Sequence, residues 1–302
     1  MHIPDGFLSG RIWLSLDALS SVTVLYAARR LRVQASGHTV PLMGVLSAFV
    51  FAAQLLNFPV LGGTSGHLVG SALLAVLLGP LAAFLTMVTV LIAQALFLQD
   101  GGLAALGANI FNIAAVPVLS GYGIFRLAGG TQSHGRRLAI ASFLSGWVSI
   151  ELCALCCALE LSLSGAIPLR VGLPAMTGYH AILGVAEGIL TSSVLVFLSH
   201  TRPDLIRRGA GSRLPVADWV AVVALVAVPC AILVLAGSSN LPDPLQRLLA
   251  SADPVYGRQG ESEPFLSPLR YREFLRALTL IAGAIGSAYF LGRLMRGKRS
   301  KL

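Results

Sequence analysis

The residues best suited to chemistry are the first two and one distant histidine. Met1 offers an α-amine, whose ordinary pKa of about 8 lets it lose a proton readily. His2 offers its own backbone nitrogen and an imidazole. Amine, deprotonated amide and the Nδ1 of a histidine in second position can hold one ion in two fused chelate rings. One more nitrogen completes a plane, and a tetragonal or square-planar nitrogen set suits Ni(II) or Cu(II). His67 ends a glycine-rich stretch, PVLGGTSG at 59–66, and is the candidate fourth donor. The opening MHIPDGFLSG lacks the basic, apolar and small-residue regions of a secretory signal. His2 is too bulky to favour methionine removal, so a retained Met1 with a free amine is expected. Chemistry alone does not make this pattern specific: every chain opening Met-His carries the same three donors. A lone intramembrane histidine is more often hydrogen-bonded structure, although ionisable residues in spans lean functional.

Four cysteines complete the inventory: Cys153, Cys156, Cys157 and Cys230. On a helix, Cys153 shares a face with Cys156 and with Cys157. A soft metal site is one reading of this cluster. The stronger reading is small residues that let membrane helices approach closely. No structural disulfide is expected.

Lipid is the solvent that must position these groups. Hydrophobic residues make up 55% of the 302 and charged residues 12%, against roughly a quarter charged in soluble domains. The mean hydropathy is +0.79. A spanning helix needs roughly 20 apolar residues, and runs at 12–31, 41–57, 81–98, 103–127, 138–163, 175–198, 216–236 and 274–294 qualify or come close. A short helix at 67–78 follows the 59–66 break, which is too irregular to face lipid and must be buried or line a cavity. Residues 164–174 read as a Pro/Gly-rich loop. The fold expected is therefore an all-α integral membrane protein. It is a polytopic helical bundle of about seven transmembrane helices plus a two-helix C-terminal unit, with no internal repeat.

The net charge is +9, but the basic residues sit in short clusters between apolar runs: Arg29, Arg30 and Arg32; Arg126, Arg136 and Arg137; the 200–215 linker; and the 293–301 tail. That is the positive-inside pattern, and no nucleic-acid-binding face appears. With these clusters cytoplasmic in a plasma (inner) membrane, the N-terminus lies outside and the C-terminus inside. The count works only if the short 67–78 helix effectively crosses.

Several stretches then resemble one family. The opening MHIPDGFL looks like the hallmark start of the CbiM/NikM family, substrate-binding components of energy-coupling-factor transporters for cobalt and nickel. GGTSGHLVGSALLAVLLGP (62–80) resembles its second hallmark. QALFLQDGGLAALGANIFN (94–112), CALELSLSG (157–165) and PAMTGYHAILGVAE (174–187) are similar too, in the same order. The resemblance covers roughly 1–205, a metal-binding membrane region. It assigns metal ligation to the Met1 amine, the His2 amide and imidazole, and His67, and implies that the N-terminal loop inserts into the bundle. Residues 206–215 read as a basic cytoplasmic linker. Residues 216–302 resemble the two-helix NikN/CbiN accessory subunit, fused on, with an external loop at 237–270. There GSSNLPDPL resembles a PDGLE-type loop, but Pro244 and Gln246 depart from it, so the lean toward nickel is slight.

Asp5, Thr64, Ser65, Asn109, Asn112, His180 and Glu187 are candidates to orient the ligands. Asp5 equally fits a turn that bonds its own backbone, and Asn109 and Asn112 fit interhelical glue better than metal contact. His180 and Glu187, two helical turns apart, suit a structural buried pair. Glu151 and Glu160 read as orienting or capping residues near the membrane surface. The resemblance implies high-affinity capture of Ni2+ or Co2+ as transported substrate, with no cofactor. The implied partners are a transmembrane coupling subunit of CbiQ/NikQ type and cytoplasmic ATPase subunits of CbiO/NikO type. No G-x-x-x-x-G-K-[ST] and no H-E-x-x-H occurs, so the chain carries no ATPase motif of its own and no enzyme is expected. The competing reading is a stand-alone secondary metal transporter or channel. It would need intramembrane carboxylates or inverted repeats; Asp and Glu together number 13, most near span ends.

Overall fold

The computed structural model describes residues 1–34, 39–55, 58–60, 64–130, 135–203, 206 and 244–252. Apolar runs in a medium without water must satisfy every backbone group internally, and helices do so. Helix α1 runs Gly10–Gln34 and α2 Thr39–Gln54. A two-stranded antiparallel ribbon follows, β1 (Phe58–Val60) and β2 (Thr64–Gly66), with Phe58 opposite Gly66. Then come α3 (Ser71–Leu78), α4 (Pro80–Leu98), α5 (Leu106–Leu127), α6 (Gly135–Leu163) and α7 (Leu169–Thr201). A short helix, α8, spans Pro244–Ala252. The last turn of α4 (Gln94–Leu98) and a middle turn of α5 (Phe111–Ala115) are π-helical.

Four helices, α4 to α7, are long and apolar enough to cross a membrane. Polarity is distributed as a lipid solvent requires. Leu14, Leu25, Leu119 and Ile189 point outward, while Ser142, Ser145, Ser149 and Thr191 are buried between helices. α6 and α7 form a close hairpin; a Cβ on Gly184 would come within 2.8 Å of Trp147. The main apolar core gathers α3 to α5 and takes in Met1, Ile3 and Leu8 from the N-terminal segment.

Four expectations change. The irregular break contains the β1–β2 ribbon, whose ladder pairs backbone groups that would otherwise be left open. The helix expected from 67 starts at Ser71, because Gly70 is left-handed at φ +75° and breaks it; the N–H groups of Val69 and Gly70 bond a carboxylate of α7. At eight residues α3 is about 12 Å long, too short to span a hydrocarbon core of about 30 Å by itself, and all its residues are buried. The 164–174 loop is shorter than expected: α7 begins after Pro168 and contains Pro174, which has no N–H to give the Arg170 carbonyl one turn back. Finally, the loop expected at 237–270 contains α8, whose Leu245 and Leu249 are buried in contact with α7 and β2. The expected linker at 207–215 and the expected spans at 216–236 and 274–294 lie outside the described residues.

Candidate metal centre

The N-terminal segment is held in place by backbone pairing with the loop before α5. Ile3, fully buried, donates its N–H to Asn109 Oδ1 at 2.7 Å and accepts from Asn109 Nδ2 at 3.0 Å and from the N–H of Gly102 at 2.9 Å. One asparagine side chain thus pairs with Ile3 as a strand neighbour would. Asp5 accepts the N–H groups of Leu103 (3.0 Å) and Ala105 (3.1 Å), bonding across to another loop as well as sitting in its own turn. Gly101 and Gly102 admit this approach: a Cβ on Gly102 would strike the Asp5 backbone nitrogen at 2.4 Å, and Gly101 sits at φ +92°.

With residue 3 fixed, Met1 and His2 are buried inside the bundle. The His2 ring lies 5.7 Å from the His67 ring, centroid to centroid, with 26° between their planes. A chain of amides fixes its orientation. Gln54 Nε2 donates to the Val69 carbonyl at 2.8 Å, so Gln54 Oε1 faces Gln94 and accepts from Gln94 Nε2 at 2.8 Å. Gln94 Oε1 is left facing His2 Nε2 at 3.1 Å. A carbonyl oxygen cannot donate, so Nε2 carries the proton. With Nε2 committed to Gln94, Nδ1 is the nitrogen an N-terminal chelate can use, once it gives up the proton that its carboxylate neighbour favours there. Nδ1 lies 3.2 Å from Asp100 Oδ1.

His67 follows β2 in an extended stretch and bonds the Leu68 carbonyl through Nδ1 at 3.1 Å. Burial, the nearby N-terminal amine and His2 together pull its pKa from 6.5 down to about 4, against the opposing pull of Asp100. The ring is therefore neutral near pH 7, the form that binds metal. Glu187, buried on α7, clamps the stretch after His67: its two oxygens accept Val69 N–H at 2.9 Å and Gly70 N–H at 2.7 Å. Thr64 and Ser65 lie on β2, just before His67. Met1 Sδ lies 3.8 Å from Cys153 Sγ.

The remaining candidates do other work. His180 Nδ1 bonds the Met176 carbonyl of its own helix at 2.6 Å. Asn112 Nδ2 donates to Glu160 Oε2 at 2.6 Å, and Glu160 is buried between helices instead of capping a surface. The sequence reading missed Gln54, Gln94 and Asp100. A signal existed for the two glutamines, because a polar amide inside an apolar span is costly without a partner. Among the described residues, no group of three or more His, Cys, Asp or Glu side chains gathers to hold a metal. A site at the N-terminus must draw on backbone and terminal nitrogens.

Residues 2–205 match the CbiM family, described as the cobalt uptake substrate-specific transmembrane region. A fused nickel transport protein NikMN of Rhodobacter capsulatus is 33% identical over 261 residues, covering 79% of this chain and 74% of the relative. A cobalt transport protein CbiM of Geobacter sulfurreducens is 30% identical over 330 residues, covering 99% and 91%. A solved structure described as a truncated transition metal transporter superposes with a TM-score of 0.61 at 34% identity, covering 67% of this chain and 99% of that one.

Proposed function

The chain belongs to the CbiM family of cobalt/nickel transport proteins, and on that footing we propose that it captures Ni2+ or Co2+ as the substrate-binding subunit of an energy-coupling-factor importer. The ligands are the Met1 amine, the His2 amide nitrogen and Nδ1, and His67. The supporting observation is the buried N-terminal segment, whose His2 ring lies 5.7 Å from that of His67 with Nε2 committed to Gln94. A metal at Nδ1 would take the ring away from Asp100. The N-terminus lies outside and the C-terminus in the cytoplasm, with 1–205 as the metal-binding region, 206–215 as linker and 216–302 as a NikN/CbiN-like accessory unit. Similarity to relatives named for nickel and for cobalt leaves both metals as cargo, with a slight lean to nickel from the 237–245 stretch.

Energy comes from partner subunits, a CbiQ/NikQ-type coupling protein and CbiO/NikO-type ATPases. The experiment is accumulation of radioactive Ni2+ and Co2+ in cells that lack other high-affinity uptake. Sustained accumulation is expected only when the chain is co-expressed with both partner types. Equal accumulation by the chain alone would favour the stand-alone transporter.

A further inference from the structure

Asn112 and Glu160 take no part in holding the N-terminus, yet among the described residues they form a buried polar pair with an unpaired oxygen on each side chain. Both are buried, at 0% and 7% exposure. One contact joins them, Asn112 Nδ2 to Glu160 Oε2. Their other oxygens, Asn112 Oδ1 and Glu160 Oε1, are enclosed and meet no hydrogen-bond donor. Two buried oxygens on one pair, both acceptors, call for a positive partner, since an unpaired polar group in such a medium is costly.

Sulfur lies beside them. Cys156 is one helical turn before Glu160 on α6, so the two share a face. Cys153 lies seven residues before Glu160, two turns back along the same face of α6. Cys153 in turn touches Met1 Sδ. From Met1 the donors continue along α6 through buried Cys153 and half-buried Cys156 to buried Glu160. Carboxylate, amide oxygen and thiol form a set that a borderline transition-metal ion accepts. Mg2+ or Ca2+ would need about six oxygens.

We infer that Glu160 Oε1, Asn112 Oδ1 and the Cys156 sulfur, which releases its proton to solvent as the ion binds, form a second, weaker station for the divalent cation, adjoining the N-terminal site. This rests on the reading above, because the cargo is the same. Arg136 and Arg137 mark the start of α6 as cytoplasmic under the positive-inside rule. Glu160 lies near Leu163 at the opposite end, so the station is on the way in.

Co2+ is the probe, on the full-length chain with its native N-terminus. Dialysis counts bound ions, ultraviolet absorption reports cobalt–thiolate charge transfer, and stopped flow times the filling of the tight site. Two Co2+ per chain are expected, the weaker one bringing the thiolate band. Glu160→Gln, which keeps size and the contact with Asn112, removes the weaker ion and its band. It also slows filling of the tight site by about tenfold or more, as loss of a charge on an entry path does. Cys156→Ser abolishes the band. A single bound Co2+ in the native chain overturns the station. A weaker ion that survives Glu160→Gln does so too, and is the result expected if Glu160 only shares a proton with Asn112. A glycine inserted between Met1 and His2 removes the tight ion alone, so failure of the N-terminal site reads out separately.

Discussion

Under the proposed ligation, Gln94 is a side chain that prepares the centre without touching the metal. Its amide takes its orientation from Gln54, and Gln54 from the Val69 carbonyl. Its oxygen then sets the proton on His2. Outer partners of this kind are worth about 10–100-fold in metal affinity. Gln94→Leu should therefore weaken Ni2+ binding by about that factor, measured by calorimetric titration; an unchanged affinity would show that the relay does not control the ring. At this scale the proposed ligands stand out in the sequence as candidates, because the donors of Met1 and His2 are contiguous and His67 ends a glycine-rich stretch. The relay was not, because its members lie 40 and 92 residues apart in pairs. Asp5 and Asn109 were legible as candidates, but their partners, the loop before α5 and the backbone of Ile3, were not.

Elements place these residues where local propensity alone does not. The stretch from His67 to Gly70 is apolar enough to read as helix. It stays outside the helix, with Gly70 left-handed at φ +75°, and Glu187, 117 and 118 residues away, supplies acceptors for two of its N–H groups. Glu187→Ala would leave both donors buried and unpaired, at about 1–3 kcal/mol for each. The expected result is a fall in melting temperature of about 5–10 °C together with weaker metal binding, as the His67 stretch loses its clamp. A melting temperature equal to that of the parent chain would contradict the clamp. The π turns are a second case. Gln94 begins the one ending α4 and Asn112 lies in that of α5, and such turns commonly mark functional positions in helices. Periodicity could not reveal them, since one extra residue per turn only shifts the phase of an otherwise apolar run.

At the scale of the whole molecule, the membrane class was legible from composition, because lipid exposure and burial both demand apolar residues. The crossing count was not. α3 is apolar after Ser71, yet it is an eight-residue helix buried on every side, and hydropathy does not distinguish a short central helix from part of a span. The docking of α8 on β2 and α7 through Leu245 and Leu249 was likewise hidden in what read as a loop. The central claim is that the whole bundle serves to hold a chelate built from the chain's own first two residues. Its most direct test is titration of the purified protein with Ni2+ and Co2+, with the native N-terminus and with one glycine inserted between Met1 and His2. Tight binding at the N-terminal site that collapses on insertion is the predicted result. Equal tight binding by both forms would contradict the account and leave His2 a structural residue.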